Sequence, residues 1–168
     1  MAVEYRKATA EEYADLIDFG NMVFKIDFAA LLPKLYKDHP ELAQCHYLAL
    51  EDGKIKAMVG SFPLSFTVDG QEVKAYGIGT VSVHPYSRGK GYMKELMKRA
   101  VADAKAEGAD LMCLGGQRQR YEYFGFAKAC QQRSFTLTPT NRRHWKHIST
   151  KGVEVLPLSE NAEYTAQC

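Results

Sequence analysis

At Pro85 the chain changes its hydrophobic period, and that change constrains the fold more than any other feature of the sequence. Before it, Val73 to Val83 alternates like a strand; after it, Tyr92, Met93, Leu96, Met97, Ala100, Val101 and Ala104 recur at helical spacing. The junction is HPYSRGKGY, His84 to Tyr92. Gly-x-Gly leaves backbone N–H groups uncovered, Arg88 and Lys90 make the turn positive, and a helix N-terminus already offers unpaired donors. Such a turn suits a phosphate. A lone Arg-Gly-x-Gly is more often an ordinary basic surface turn, so its surroundings must decide.

Those surroundings alternate strand and helix signals. Val3 to Lys7 reads as a strand, and Thr9-Ala10-Glu11-Glu12 is a capping box opening a helix with Tyr13, Leu16, Ile17 and Gly20 on one face. A second helix is expected from Phe28 to Tyr36, capped by Asp27, with Phe28, Leu31, Leu32 and Leu35 buried and Pro33 early in it or breaking it. His46 to Leu50 and Ile55 to Val68 read as strands joined by an Asp52-Gly53 turn, the second interrupted near Pro63, and Asp69-Gly70 returns the chain along Val73 to Val83. Glu107-Gly108 closes the long helix. A buried strand follows at Asp110 to Leu114, a brief helix at Arg118 to Phe124, and a last strand at Gln132 to Thr138. This order predicts an α/β (α+β) fold, a mixed, mostly antiparallel sheet flanked by helices. Gly77 and Gly79 lie inside a strand and mark a bulge there, and they lack the third glycine of a dinucleotide fingerprint. Gly89-Lys90 is followed by Gly91 rather than the Ser or Thr of a Walker loop.

A chain of 168 residues suits one well-packed domain with a short tail. A net charge of +2 argues against a dedicated nucleic-acid binder, and Asn141 to His147, basic and aromatic, reads as a connector. No apolar run nears the ~18 residues that cross a bilayer, and the charged start lacks a signal-peptide core. Cys45, Cys113, Cys130 and Cys168 form no Cys-x-x-Cys pair, which fits reduced thiols in the cytoplasm and no metal site. Val153 to Tyr164 repeats the strand, cap and helix start of Val3 to Tyr13. Residues 1–140 are therefore read as one domain, and 141–168 as a connector followed by the start of a second, truncated domain, or by a chance repeat.

The run VSVHPYSRGKGYMKELM resembles the acetyl-CoA motif of the GNAT superfamily of N-acetyltransferases, Arg/Gln-x-x-Gly-x-Gly/Ala, and the match places Ser87 or Arg88, then Lys90 and Gly91, in its turn. The resemblance implies that backbone amides along Ser87, Arg88, Gly89, Lys90, Gly91, Tyr92 and Met93 hold the coenzyme pyrophosphate. It also implies that strands splay at the coenzyme site, where the edge formed by Val81, Ser82 and Val83 pairs with the pantetheine arm. Tyr121-Glu122-Tyr123-Phe124-Gly125-Phe126 is similar to the family's Tyr-x-x-x-Gly-Phe/Tyr signature, which implies that Tyr121 is the general acid toward the leaving thiolate, with Tyr123 as the fallback. A phenol, with a pKa near ~10, is matched to a thiol. The hairpin before the motif and RQRYEYFGF resemble the first domain of enhanced-intracellular-survival-type acetyltransferases, which carry tandem domains.

The family often places a glutamate base where this chain has Gly79, and an asparagine where it has Leu114 to Gln117. The base is therefore open among Glu72, Tyr76, His84 and Glu122. The expectation is direct acetyl transfer from acetyl-CoA to an amine, either a small molecule or a peptide. A catalytically silent acyl-CoA-binding module is the alternative. Metal, membrane and nucleic acid are expected to play no part, and a homo-oligomer is left open.

Overall fold

A computed structural model describes residues 3–129 and 151–152, and its strands and helices fall within the unit Met1–Lys128. Strand β1 (Val3–Lys7) leads through a 3-10 turn at Ala10–Glu12 into helix α1 (Tyr13–Phe24). The capping box forms as read: the Glu12 carboxylate accepts from the Thr9 N–H at 2.9 Å. Asp27 caps α2 (Phe28–Leu31), and Pro33 breaks the predicted single helix by starting α3 (Pro33–Tyr36). That break overturns the expected buried stripe. Leu31 and Leu32 lie on the surface, while Phe28 and Tyr36 fill the interior, because two four-residue helices cannot hold one face over nine residues.

Strands β2 (His46–Glu51), β3 (Lys54–Val68) and β4 (Gln71–Val83) follow as antiparallel hairpins, then α4 (Tyr92–Ala106), β5 (Leu111–Leu114) and α5 (Arg118–Tyr121). The sheet order is β1-β2-β3-β4-β5, and only β4 and β5 are parallel. This is the predicted mixed sheet. Pro63 does not interrupt β3: β2 pairs only as far as Gly60, so the proline's missing N–H falls where no β2 bond is made. β5 is less buried than expected, with Leu111 exposed and the other three residues half-buried. The predicted strand Gln132 to Thr138, Cys130, and the tail from 141, apart from Lys151 and Gly152, lie outside the described residues.

Helix α4 covers one face of the sheet: Leu96, Met97 and Ala100 meet Tyr47, Ala49, Ala57, Val59 and Ile78. On the other face Leu16 and Phe19 of α1 meet Leu48, Leu50 and Met58, and beyond them Phe28 and Tyr36 meet Phe62. Gly20 lets α1 approach closely, since a Cβ there would stand 2.9 Å from the Phe28 ring. Both faces of β3 and β4 are thereby fixed, which sets the strand that leads into the basic turn.

Candidate active site

β4 and β5 stay paired only from Ala75↔Leu111 to Ile78↔Leu114. The chain after Leu114 then leaves through Gly115 and Gly116, while β4 continues to Val83. From Gly79 onward β4 therefore has β3 on one side and, among the described residues, no strand on the other.

A bulge decides what faces that opening. Pairing with β3 passes from Gly79↔Gly60 to Ser82↔Met58, so Thr80 and Val81 stand opposite the single residue Val59. Thr80 has φ +48°, in the left-handed region. The expected bulge thus falls one residue beyond Gly79, on a β-branched residue for which this conformation is an outlier. Backbone directions reverse across it. Upstream, the Lys74 carbonyl accepts from the Asp110 N–H on the β5 side at 2.9 Å, and alternation turns the other even residues the same way. Downstream, the His84 N–H donates to the Lys56 carbonyl on the β3 side at 2.8 Å. Ser82 therefore faces β3, and the backbone groups of Val81 and Val83 face the opening. Of the three residues read as the pantetheine edge, Ser82 alone has its backbone turned away from the opening, and its buried hydroxyl donates to the Thr80 carbonyl at 3.1 Å.

Past Val83, His84 caps a 3-10 turn at Pro85–Ser87, its Nδ1 accepting from the Tyr86 N–H at 3.3 Å. Gly89 and Gly91 both take φ near +80° (+81° and +82°), with nothing within 4 Å of where a Cβ would sit. Gly91 is the N-cap of α4, and the first i to i−4 bond is donated by Glu95 to the Gly91 carbonyl at 3.1 Å. The N–H groups of Tyr92 and Met93 precede that bond and stay free of the helix ladder. Alternating left-handed glycines before a helix N-terminus make a concave, donor-lined anion nest.

The two cations of the turn differ. Arg88 is exposed and makes no ion pair among the described residues. Lys90 is held by Glu51 at the end of β2 (3.0 and 3.1 Å), and the buried Tyr92 hydroxyl donates to the same carboxylate at 3.1 Å. Lys90 in turn holds the Glu51 carboxyl below its usual range. Sequence reasoning missed Glu51, which is 39 residues from its partner and carries no local signal.

Tyr121 sits at the end of α5, half-buried against the cluster that also carries Val81, Val83 and Met93. Its ring meets Phe126 edge-on at 6.3 Å and lies over Gly116, where a Cβ would stand 2.7 Å from Cε2. Its hydroxyl makes no hydrogen bond among the described residues, and burial raises its pKa, so it stays protonated at neutral pH. Tyr123 points elsewhere: it is exposed beneath Lys94 on α4, which lowers its pKa.

None of the four candidate bases is presented to the opening. Glu72 accepts from Ser65 far along the hairpin, Tyr76 donates to Glu107, Glu122 accepts from Arg118, and His84 is occupied as a cap. Asp27 caps α2 as read from the sequence, its carboxylate accepting from the Ala30 N–H at 3.1 Å. Among the described residues no His, Cys, Asp and Glu group could hold a metal, and no helix is long and apolar enough to cross a membrane.

Residues 4–129 match the acetyltransferase (GNAT) domain family, and the chain belongs to it. No curated protein matches the chain. Among solved structures, the fold is shared with a predicted acetyltransferase from Clostridium acetobutylicum solved with acetyl-CoA (20% identity, TM-score 0.67, covering 80% of this chain and 96% of that one). It is shared also with a conserved protein from Enterococcus faecalis V583 (23%, 0.65, covering 74% and 32%) and with glucosamine-6-phosphate N-acetyltransferase from Arabidopsis thaliana (19%, 0.59, covering 82% and 100%). This chain spans about a third of the Enterococcus protein, and 32% of a GCN5-related N-acetyltransferase from Kribbella flavida. At these identities the likeness is one of fold.

Proposed function

We propose that this domain is an acetyl-CoA-dependent N-acetyltransferase. The observation that carries the reading is the continuity of three features: the open edge of β4 at Val81 and Val83, the left-handed Gly89 and Gly91 turn, and the free N-terminus of α4. An elongated anion-headed thioester matches that sequence of features, its diphosphate at the nest and its amides along the strand. Backbone donors from Ser87 to Met93, with Arg88 beside them, would hold the diphosphate; each charge-assisted bond is worth ~1.5–3 kcal/mol.

The chemistry supplied at the site is an acetyl group activated as a thioester of coenzyme A. A backbone N–H near Val83 polarises the carbonyl, holding the charge that develops on oxygen. An uncharged amine forms the C–N bond, the C–S bond breaks, and Tyr121 gives its proton to the departing sulfur. The amine proton passes to solvent, in keeping with four candidate bases that are engaged elsewhere. That same engagement favours one alternative, a catalytically silent acyl-CoA-binding module.

The acceptor is proposed as a small-molecule or peptide amine, and the setting as cytoplasmic. A further proposal is that residues 1–140 act as the first domain of an enhanced-intracellular-survival-type tandem protein; its support is the hairpin before the motif and the run RQRYEYFGF. The test is thiol release from acetyl-CoA across a panel of amines, with wild type against Tyr121→Phe. Catalysis predicts turnover with at least one amine and a fall of about 10²-fold or more in the variant. Tight acetyl-CoA binding with no turnover on any amine would replace the enzyme with the silent module.

A further inference from the structure

A β-branched residue at positive φ inside a strand persists only when its surroundings hold it there. Thr80 is so held, by a buried chain of hydrogen bonds reaching through two other elements. His46 Nδ1 lies 3.2 Å from the carbonyl oxygens of both Leu42 and Ala43. Carbonyls only accept, so Nδ1 carries the imidazole proton. Burial keeps the ring neutral, with a pKa held down to about 4, and Nε2 is therefore an acceptor. The Tyr36 hydroxyl, 3.0 Å away, donates its one proton to Nε2. Thr80 Oγ1, 3.1 Å from the Tyr36 oxygen, is left to donate to it. Every proton in the chain has a defined direction.

The fold makes room for this contact. A Cβ on Gly60 would stand 2.8 Å from Thr80 Oγ1 and 2.6 Å from the Phe62 ring. Phe28 and Phe62 wall in the Tyr36 ring at 5.1 and 6.4 Å. A buried histidine and tyrosine can satisfy one another anywhere in a core. Here their chain ends on the one strained residue of β4, two residues past its last pair with β5.

We infer that Tyr36 and His46 are positioning residues: their hydrogen bonds hold the Thr80 bulge, which turns Val81 and Val83 toward the opening and bends β4 away from β5. The inference rests on the acetyl-CoA reading for its consequence, and on the geometry of Thr80 for its cause.

The test uses Tyr36→Phe, which keeps the ring and removes the hydroxyl, and the double variant Tyr36→Phe/Thr80→Gly. Glycine takes φ +48° without support. Hydrogen exchange in the unliganded protein and acetyl-CoA affinity by calorimetry are the two readouts. Tyr36→Phe should speed exchange across Gly79 to Val83 about tenfold and weaken acetyl-CoA about tenfold, leaving the amides of α4 unchanged; the double variant should return both to within about threefold of wild type. Wild-type exchange and affinity in Tyr36→Phe would overturn the inference. So would a double variant as impaired as the single one, since the loss would then be general damage to the core. Altered exchange with rescue, in a protein whose wild type binds no acetyl-CoA, would uphold the lock and remove the acetyl-CoA reading instead.

Discussion

Gly116 offers a sharp probe of Tyr121 because it touches that ring and, among the groups named in the mechanism, no other. Adding a methyl group at Gly116 places Cβ 2.7 Å from Tyr121 Cε2. Non-bonded carbons rest at ~3.5–4.0 Å, so the ring must move by roughly 0.8 Å or more. The ring packs against the hydrophobic cluster and meets Phe126 at 6.3 Å, so the added methyl group shifts the ring from this seat and with it the hydroxyl proposed to reach the departing sulfur. A misplacement of about 1 Å in a reacting group costs on the order of 10²-fold in rate. Gly115 is the matched control, with nothing within 4 Å of where its methyl group would sit, and neither glycine has a positive φ to strain. In thiol-release kinetics Gly116→Ala should lose about 10²-fold in kcat with acetyl-CoA affinity changed less than about threefold, while Gly115→Ala stays near wild type. Equal kcat in the two variants, or a Gly116→Ala defect confined to affinity, would refute the placement of Tyr121 at the reacting centre.

Two further outcomes follow from the charges. Glu51 holds Lys90 beside the nest, so Glu51→Gln frees that cation while keeping an acceptor for Tyr92. Acetyl-CoA should bind more tightly to Glu51→Gln at low salt, with the gain vanishing as salt screens it; weaker binding at every salt would show instead that the ion pair shapes the turn. His46 is held at about 4 in the folded chain, against an ordinary value of ~6.5. The unfolded chain therefore takes up the proton first. The full contribution to stability is present above about pH 6.5 and falls as the pH drops toward the folded value, by ~3 kcal/mol in all. Urea unfolding between about pH 7.5 and about pH 4.5 should show that loss in wild type and a flatter profile in His46→Gln, whereas parallel profiles would mean that His46 does not titrate across folding.

Local chemistry makes much of this fold readable. The capping box at Thr9, the Asp52-Gly53 and Asp69-Gly70 turns, the start of α3 at Pro33 and the change of period at Pro85 each rest on residues close together in sequence. The nest is readable for the same reason, since its two glycines adjoin a helix start. What is not readable depends on contacts distant in the chain. The bulge falls on Thr80 rather than its glycine neighbour because Tyr36, 44 residues away, reaches its hydroxyl. His46 resembles any residue of an apolar strand until Leu42, Ala43 and Tyr36 assign its protons. Leu31 and Leu32 mislead because period alone does not reveal that each four-residue helix presents a single buried side chain. The turning of Ser82 away from the site follows from the bulge, and is not readable without it.

The central claim is that β4, the Gly89 to Gly91 turn and the head of α4 together form one coenzyme site. Calorimetric titration of acetyl-CoA into wild type and Gly91→Ala tests it most directly. Gly91 sits at φ +82°, where alanine is strained by ~1–2 kcal/mol. The account predicts one site per chain, affinity that weakens with salt, and about tenfold weaker binding in Gly91→Ala. No binding to the folded wild type, or equal binding to both proteins, would contradict it.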